Sequence, residues 1–290
     1  MKCEINDSVT RMACFVQFAN DRRTVSIQSV DQKGGTMIAC LPMYDRPELR
    51  HATDALWNAI ALHLRERGID APTKLTRGDD YPALWQRPDL LLGMACGKPY
   101  RTDLHLHAHL VGNFDYGLPG CSPGYYQSHV IARRTDPRQS LAEFTTATFA
   151  FNDPNSESGF CCIDRWLGGV GAFFDKTCQS GSHQSSIMMV SDKRADCAAI
   201  DAVTWRYATQ SHPDIVAGIK VIGSTEPVAG LPLITNQAEL TVPIRSAIKA
   251  TLMQDVSACK MLQIKGVVSI EHETFMSLRS FDHYRDDVIR

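Results

Sequence analysis

Apolar and polar residues form two patterns along this chain, and together they predict an α/β protein. Short runs of consecutive apolar residues, typical of buried strands, lie at 37–42, 88–93, 148–151, 197–201 and 220–224. Longer segments carry apolar residues at helical spacing, as in the series Leu49, Ala52, Leu56, Ile60 and Leu64 before Gly68. Because strands and helices follow one another in turn, we expect two mostly parallel sheets covered by helices.

Local signals complete this set of predicted elements. Asp45 stands as an N-cap two residues before Pro47, which predicts a helix start at this point. The alternating segment HLHAHLVG predicts a strand at 105–112. Further strands and helices are expected at 128–134, 141–144, 202–209, 242–253, 267–270 and 273–288.

The composition is that of an ordinary globular protein. The chain has 290 residues, of which 44% are hydrophobic and 21% charged, and its formal net charge is −2. A charge this close to zero argues against general nucleic-acid binding, and no run reaches the ~18 apolar residues of a membrane span. The ten cysteines are scattered without C-x-x-C spacing, which is typical of buried thiols in a reducing compartment.

The first 36 residues carry little core periodicity. They are polar and lack the charged, apolar and small-residue regions of a signal peptide. We therefore expect residues 1–36 to be a poorly packed extension, with the fold beginning at Met37.

Two hydroxyl-rich segments follow predicted strands and precede predicted helices. The first, FNDPNSESGF (151–160), places Ser156 and Ser158 where the first amides of a helix are unpaired. The second, SGSHQSSI (180–187), places His183 at a similar helix start. Hydroxyls and free amides at the positive end of a helix bind anions, so the two segments predict a shared oxyanion ligand. Two ordinary serine N-caps remain the alternative interpretation.

With both serine segments in view, the chain resembles the substrate-binding proteins of phosphate, phosphite and phosphonate ABC transporters. The resemblance covers about residues 37–235 and is carried by LPMYDRPEL, CGKPYRT, DYGLPGCSPGYYQS, NDPNSESG, SGSHQSSI and AAIDAVTW. It implies the type 2 periplasmic-binding-protein fold, with two α/β lobes, two crossover segments and a ligand in the cleft. One lobe would comprise 37–128 plus 225–290, and the other 129–224.

The resemblance also implies which residues bind the ligand. Carried over from the family, these contacts are Tyr44, Ser156, Ser158 and His183, with Asp201 as an acid; Glu157, between the two serines, is included as a candidate contact by its position. Further candidates are Cys96, Tyr100, Ser182 and Glu226. In the family, the serines and the histidine hold the oxyanion, a tyrosine closes from the other lobe, and acids bind the ligand's amino group where one exists. Asp201 is the candidate acid, and it also stands where it would cap the next helix.

The chain departs from the family pattern in three ways. Glu157 stands where the family often has threonine, and its charge would repel an oxyanion if it faced the ligand. Only Glu226 corresponds, loosely, to the family's second acid. No export signal is visible, so a periplasmic location by resemblance and a cytoplasmic location by composition both stay open.

Vicinal cysteines provide an enzymatic alternative. Cys161 and Cys162 follow the first anion site by one helical turn, where a thiolate activated by the helix or by His183 would be a nucleophile. Enzymes of pyrimidine synthesis use this fold with a cysteine-rich motif, which this chain does not otherwise match. Cysteines that only pack the helix are the competing interpretation.

A strand with histidines at every second position would place His105, His107 and His109 on one face. Neighbours about 6.6 Å apart on that face are close enough for two imidazoles to share a zinc ion. The sequence offers no nearby carboxylate or cysteine cluster to complete such a set, so we expect no metal site.

These observations predict a solute-binding protein rather than an enzyme. We expect it to capture a small tetrahedral oxyanion, phosphonate- or phosphite-like, for ABC-type uptake or for sensing. No cofactor, nucleic-acid partner or membrane span is expected. A monomer is expected, and an ABC transporter permease is the candidate partner. A cytosolic sensor that reports to a partner chain stays open.

Overall fold

The computed structural model describes residues 37–78, 80–254 and 257–278. Two predictions fall outside these described residues: the extension at 1–36 and the part of the predicted helix at 273–288 that follows residue 278. That the fold begins at Met37 therefore stays a prediction.

The described residues form strands that we number in chain order. These are β1 (Ile38–Cys40), β2 (Leu90–Met94), β3 (His109–Asp115), β4 (Tyr125–Tyr126), β5 (Ser128–Arg133), β6 (Thr148–Phe151), β7 (Lys176–Gln179), β8 (Cys197–Asp201), β9 (Ile219–Ser224), β10 (Val228–Ala229), β11 (Pro232–Thr235) and β12 (Gly266–Val268). The predictions at 148–151 and 197–201 coincide with β6 and β8.

The helices lie between these strands. They are α1 (Arg50–Arg65), α2 (Tyr81–Trp85), α3 (Gly97–Thr102), α4 (Cys162–Leu167), α5 (Val170–Phe173), α6 (His183–Ser191), α7 (Ala202–Ser211), α8 (Pro213–Ala217), α9 (Thr241–Met253), α10 (Ser257–Met261) and α11 (His272–Met276). Single 3₁₀ turns are Pro42–Tyr44, Leu104–Leu106, Leu141–Phe144 and Ala238–Leu240, and Glu157–Cys161 is a π-helical turn. The predicted α/β class is confirmed.

Two five-stranded sheets carry the fold. The first sheet has the order β1-β2-β11-β3-β12 and the second has the order β7-β6-β8-β5-β9. In the first sheet, β1, β2 and β3 run in one direction while β11 and β12 run in the other. In the second sheet, β5 alone opposes its neighbours. The prediction of mostly parallel sheets is therefore wrong, because β11 and β5 insert between strands that share a direction.

A two-stranded ribbon connects the sheets. The chain leaves the first sheet through β4 and returns through β10, and these two strands pair antiparallel. β4 continues into β5 of the second sheet, whereas β10 continues into β11 of the first. The two inserted antiparallel strands, β5 and β11, therefore directly follow the two ribbon strands, β4 and β10, in the chain.

Helix α1 forms as its apolar spacing predicts. Leu56, Ile60 and Leu64 are each no more than 1% exposed and pack in one cluster with strands of the first sheet and with α9. Burying a side chain of this kind contributes about 1.5–3 kcal/mol. The predicted start at Asp45 is wrong, because α1 begins at Arg50 and the Asp45 carboxylate instead accepts hydrogen bonds from Arg77.

The predicted histidine strand at 105–112 is also wrong. Residues 104–106 form a 3₁₀ turn, and β3 begins only at His109. His105 turns inward, where its Nδ1 lies 3.2 Å from the Tyr100 carbonyl oxygen. The three histidines therefore do not share a strand face, and the described residues contain no group of three or more metal-ligating side chains.

Within the described ranges, every helix is too short or too polar to cross a lipid bilayer.

Candidate functional site

The candidate ligand-binding residues lie where strands end. Tyr44 closes the 3₁₀ turn that follows β1, and Asp201 is the last residue of β8. Ser156 and Ser158 follow β6, and His183 follows β7. Since β6, β7 and β8 are parallel, their carboxyl ends meet at one edge of the second sheet, where α/β proteins place ligands.

The first serine segment forms a capped helix start, as predicted. The Ser156 hydroxyl oxygen accepts a hydrogen bond from the Gly159 amide at 3.0 Å, which makes Ser156 the N-cap. The chain then takes a π-helical turn over Glu157–Cys161 before α4, and such turns are frequent at functional sites. Of the other amides of this turn, that of Glu157 donates to the Cys96 thiol at 3.3 Å and that of Cys161 donates to the Ser156 carbonyl oxygen at 3.0 Å.

The second serine segment meets the first through His183. Ser182 caps α6 by accepting the Ser185 amide at 3.0 Å, and His183 is the first residue of that helix. The His183 Nε2 atom lies 2.9 Å from the Ser158 hydroxyl oxygen. The two helix starts that the sequence predicted to share a ligand are therefore in direct contact.

The hydrogen bonds of His183 fix its tautomer. Its Nδ1 atom lies 3.1 Å from the Ala199 carbonyl oxygen, which accepts only, so Nδ1 carries the hydrogen. Burial lowers the pKa of His183, with the nearby Asp201 charge opposing this shift. In the neutral ring Nε2 is an acceptor, and the Ser158 hydroxyl donates to it.

Asp201 links the two sheets through Tyr44. The Tyr44 hydroxyl donates to the Asp201 carboxylate at 3.0 Å, and the same carboxylate accepts the amides of Val203 and Thr204 at 2.9 Å. Asp201 is therefore the N-cap of α7, the role that competes with ligand binding in the sequence. Burial and the Asp201 charge raise the pKa of Tyr44 well above its usual range, so its hydroxyl remains a donor.

Glu157 forms the most buried ion pair at this edge. Its side chain is 0% exposed, and its carboxylate accepts from Arg101 at 2.6 Å and also from Arg165. Arg101 lies on α3 beyond β2, whereas Arg165 lies on α4. The negative charge of Glu157 is thus balanced by two guanidinium groups, one on α3 and one on α4.

The four further candidates have separate partners. The Cys96 thiol is buried 3.3 Å from the Glu157 amide, and burial raises its pKa to about 11. The Tyr100 hydroxyl lies 3.0 Å from His272 Nδ1, so Tyr100 faces α11 rather than the serines. Ser182 is the cap already described, and Glu226 is exposed between β9 and β10.

Sequence reasoning missed a cation at the site. Arg46 follows Tyr44 in the same turn, and its guanidinium donates to the Gln184 side chain at 3.0 Å. The Arg46 side chain is 10% exposed, and its Nη1 atom has no hydrogen-bond partner among the described residues. The sequence placed Arg46 in the first turn of a helix, so its proximity to α6 had no local signal.

A close approach of backbone and side chains was also missed. A Cβ atom on Gly159 would lie 1.7 Å from Asn152 Oδ1 and 3.1 Å from His183 Cε1. Only glycine fits between these two side chains. The glycine of the Ser-x-Ser-Gly segment therefore lets His183 approach the helix start.

The vicinal cysteines have the character of packing residues. Cys161 and Cys162 are buried, and burial raises the pKa of each thiol to about 12. The Cys162 thiol donates to the Ser158 carbonyl oxygen at 3.0 Å. Thiols held in this form are poor nucleophiles at neutral pH.

Comparison with known families assigns the chain to one of them. A family model described as "ABC transporter, phosphonate, periplasmic substrate-binding protein" matches residues 112–274, which is more than half of the chain. The chain belongs to this family of phosphonate-binding periplasmic proteins of ABC transporters. A search of curated protein sequences found no significant match.

Solved structures agree on the fold. PhnD1 from Prochlorococcus marinus, solved in complex with methylphosphonate, is 16% identical with a TM-score of 0.65, over 83% of this chain and 94% of that chain. A binding-protein component of a phosphonate ABC transporter from Pseudomonas aeruginosa is 18% identical with a TM-score of 0.62, over 82% and 83%. A Xanthomonas citri protein solved with a chloride ion is 15% identical with a TM-score of 0.63, over 83% and 94%. The fold is that of type 2 periplasmic binding proteins.

Proposed function

We propose that this protein binds a phosphonate- or phosphite-like oxyanion at the edge formed by Ser156, Ser158, His183 and Tyr44, for ABC-type uptake or sensing. The observation that carries the proposal is the contact between Ser158 and His183, because it joins two capped helix starts at one point. Family membership and the methylphosphonate found in PhnD1 support the same ligand class.

The donors at this edge suit a tetrahedral anion. The Ser156 oxygen accepts the Gly159 amide, which leaves its hydroxyl hydrogen to donate to a ligand. Ser158 donates to neutral His183 in this structure and would turn toward an oxyanion when one binds. Arg46 lies nearby; its Nε atom is paired with Glu48 at 3.0 Å, and its Nη1 atom has no protein partner among the described residues.

The energies of these contacts are sufficient. A hydrogen bond to a charged group contributes about 1.5–3 kcal/mol, and a helix N-terminus adds about 0.3–1. Four or five such contacts, less the cost of association, reach the ~8 kcal/mol of micromolar affinity.

Glu157 has a supporting role in this proposal. Its carboxylate is occupied by Arg101 and Arg165, so it holds the serine turn in place rather than contacting the ligand. Asp201 likewise orients Tyr44 and caps α7.

The ligand would draw two lobes together. Under this proposal, the lobes are 37–128 plus 225–290 and 129–224, with the hinge at the β4–β10 ribbon. Gly124 precedes β4 with a φ of +78°, a conformation that glycine adopts without strain. Small-angle scattering should then show a smaller radius of gyration with saturating methylphosphonate. An unchanged radius in a sample with confirmed binding would indicate a static pocket.

Binding without turnover is the further part of the proposal. The high thiol pKa values of Cys161 and Cys162 support it over a cysteine enzyme. A monomer that delivers ligand to a permease in the periplasm follows from the family's role. Phosphorus NMR after prolonged incubation should recover the ligand unchanged, and any new phosphorus species would favour an enzyme.

The test of the site is calorimetry with methylphosphonate and phosphite. Ser156→Ala and Ser158→Ala should each weaken binding by about 1–3 kcal/mol, the cost of one lost hydrogen bond to a charge. Ser277→Ala is the matched control, since the hydroxyl of this exposed serine donates to the local Thr274 carbonyl oxygen at 2.9 Å, its one hydrogen bond among the described residues. Parent-like binding by both site variants would show that the anion binds elsewhere.

A further inference from the structure

A cavity of about 350 Å³ opens beside Ser156. One wall is formed by α2, α3 and the turn after β1, and the other by residues 152–156. At the ~30 Å³ that a water molecule occupies in the liquid, the cavity has room for roughly ten waters. That is more space than a methyl group on phosphorus requires.

This cavity borders the proposed anion site at Ser156. Ser156 and Asn152 line it, and the same two residues stand at the serine turn, where Asn152 faces Gly159. The Asn152 Oδ1 atom is buried without a hydrogen-bond partner among the described residues. A phosphonate held by the serine hydroxyls would therefore have its phosphorus next to the cavity mouth.

The walls of the cavity combine apolar side chains with negative charge. Apolar side chains are contributed by Met43, Pro82, Trp85, Pro99 and Leu104. The charged groups of the described lining are two carboxylates, Asp103 and Asp153, and this lining includes no lysine, arginine or histidine. Such walls stabilise an apolar group by removing its surface from water, and they repel a second negative charge.

We propose that this cavity receives the organic substituent of the ligand, and that the protein prefers phosphonates with a bulky, mainly apolar substituent over methylphosphonate and over carboxylated phosphonates. The inference rests on the proposed function, since it places the phosphonate group at Ser156 and Ser158. Beyond the proposed function, it specifies the direction in which the substituent points and the class of ligand that binds.

Calorimetry with three ligands tests the preference. Phenylphosphonate should bind at least tenfold more tightly than methylphosphonate, because its ring leaves water for the apolar wall. 4-Carboxyphenylphosphonate should bind at least tenfold more weakly than phenylphosphonate, because Asp103 and Asp153 face its carboxylate. Equal affinity for the methyl and phenyl ligands would overturn the inference.

Variants that fill the cavity test its location. Gln86 and Thr102 are exposed lining positions. Gln86→Trp and Thr102→Trp should each lower the ratio of phenylphosphonate to methylphosphonate affinity at least tenfold, while the affinity for methylphosphonate changes less than twofold. Val242→Trp, an exposed position on α9 outside the lining, is the control. If both cavity variants keep the phenyl advantage, the substituent lies elsewhere.

The outcomes separate the two proposals. Failure of phosphite, methylphosphonate and phenylphosphonate alike to bind the parent protein would overturn the proposed function itself. Binding of methylphosphonate without a phenyl advantage would overturn only the substituent cavity.

Discussion

Glu157 and Asp201 are both buried at the same edge of the second sheet, yet different groups balance their charges. Glu157 is paired with two guanidinium groups, from Arg101 and Arg165. Asp201 is held by neutral donors, which are two backbone amides and hydroxyls that include that of Tyr44. Each carboxylate therefore connects the second sheet to a residue of the first, but only one does so through an ion pair.

This difference explains the departure at Glu157. The buried guanidinium of Arg101 and the partly buried one of Arg165 share one carboxylate, so a neutral residue at 157 would remove the counter-charge of both. Asp201 has no guanidinium partner within the described part of the chain, and its negative charge lies 3.6 Å from His183 Nε2. Glu157 is therefore held in place by its two arginines, whereas Asp201 is held by the amides of the helix that it caps.

The largest expected effect comes from breaking the ion pair. Glu157→Gln leaves buried Arg101 and partly buried Arg165 without this counter-charge, which should cost about 3–5 kcal/mol of unfolding free energy. Denaturant unfolding of the variant and parent measures this loss. Glu239→Gln, at an exposed position, should stay within about 0.5 kcal/mol of the parent. A loss no larger than the control's would show that the arginines find other partners.

A smaller effect is expected from the neutral link. Tyr44→Phe removes the hydroxyl that donates to Asp201 and keeps the ring against Tyr116. The free energy of unfolding, measured by denaturant unfolding as for Glu157→Gln, should fall by an amount near the lower end of about 1.5–3 kcal/mol, because Asp201 retains its two amide donors. Tyr125→Phe, on the half-buried β4, is the matched control. A Tyr44→Phe loss that equals the Glu157→Gln loss would remove the distinction between the two links.

The sequence predicted these two regions to different degrees. The serine and aspartate caps at Ser156, Ser182 and Asp201 are local, because each accepts an amide within three residues. The Glu157–Arg101 pair joins residues 56 positions apart, one in the π-helical turn before α4 and the other on α3. No local pattern encodes such a pair, so the sequence indicated only that the Glu157 charge needed an explanation.

The errors in the fold have the same origin. Alternation at 105–112 predicted a strand, but His105 and Tyr100 pack against α11, a contact that sequence spacing does not contain. The Asp45 cap was wrong because Arg77, distant in the chain, binds its carboxylate. Strand direction was wrong because sheet order depends on where each crossing inserts its strand. Elements fixed by neighbours in sequence were predictable, and those fixed by tertiary partners were not.

The smallest expected effect is the pH dependence that His183 adds beside Asp201. Burial lowers the pKa of folded His183, while the unfolded value lies near the ordinary ~6.5. Between these two values the unfolded chain binds more protons, so the contribution of His183 is complete above pH ~6.5 and is lost as the pH falls through the folded pKa. His183→Asn keeps a donor for the Ala199 carbonyl but cannot titrate, so its unfolding free energy should fall less steeply below pH ~6.5 than that of the parent. A His183→Asn slope equal to the parent's would mean that attraction by Asp201 cancels the effect of burial, so that His183 binds its proton equally well in the folded and the unfolded chain.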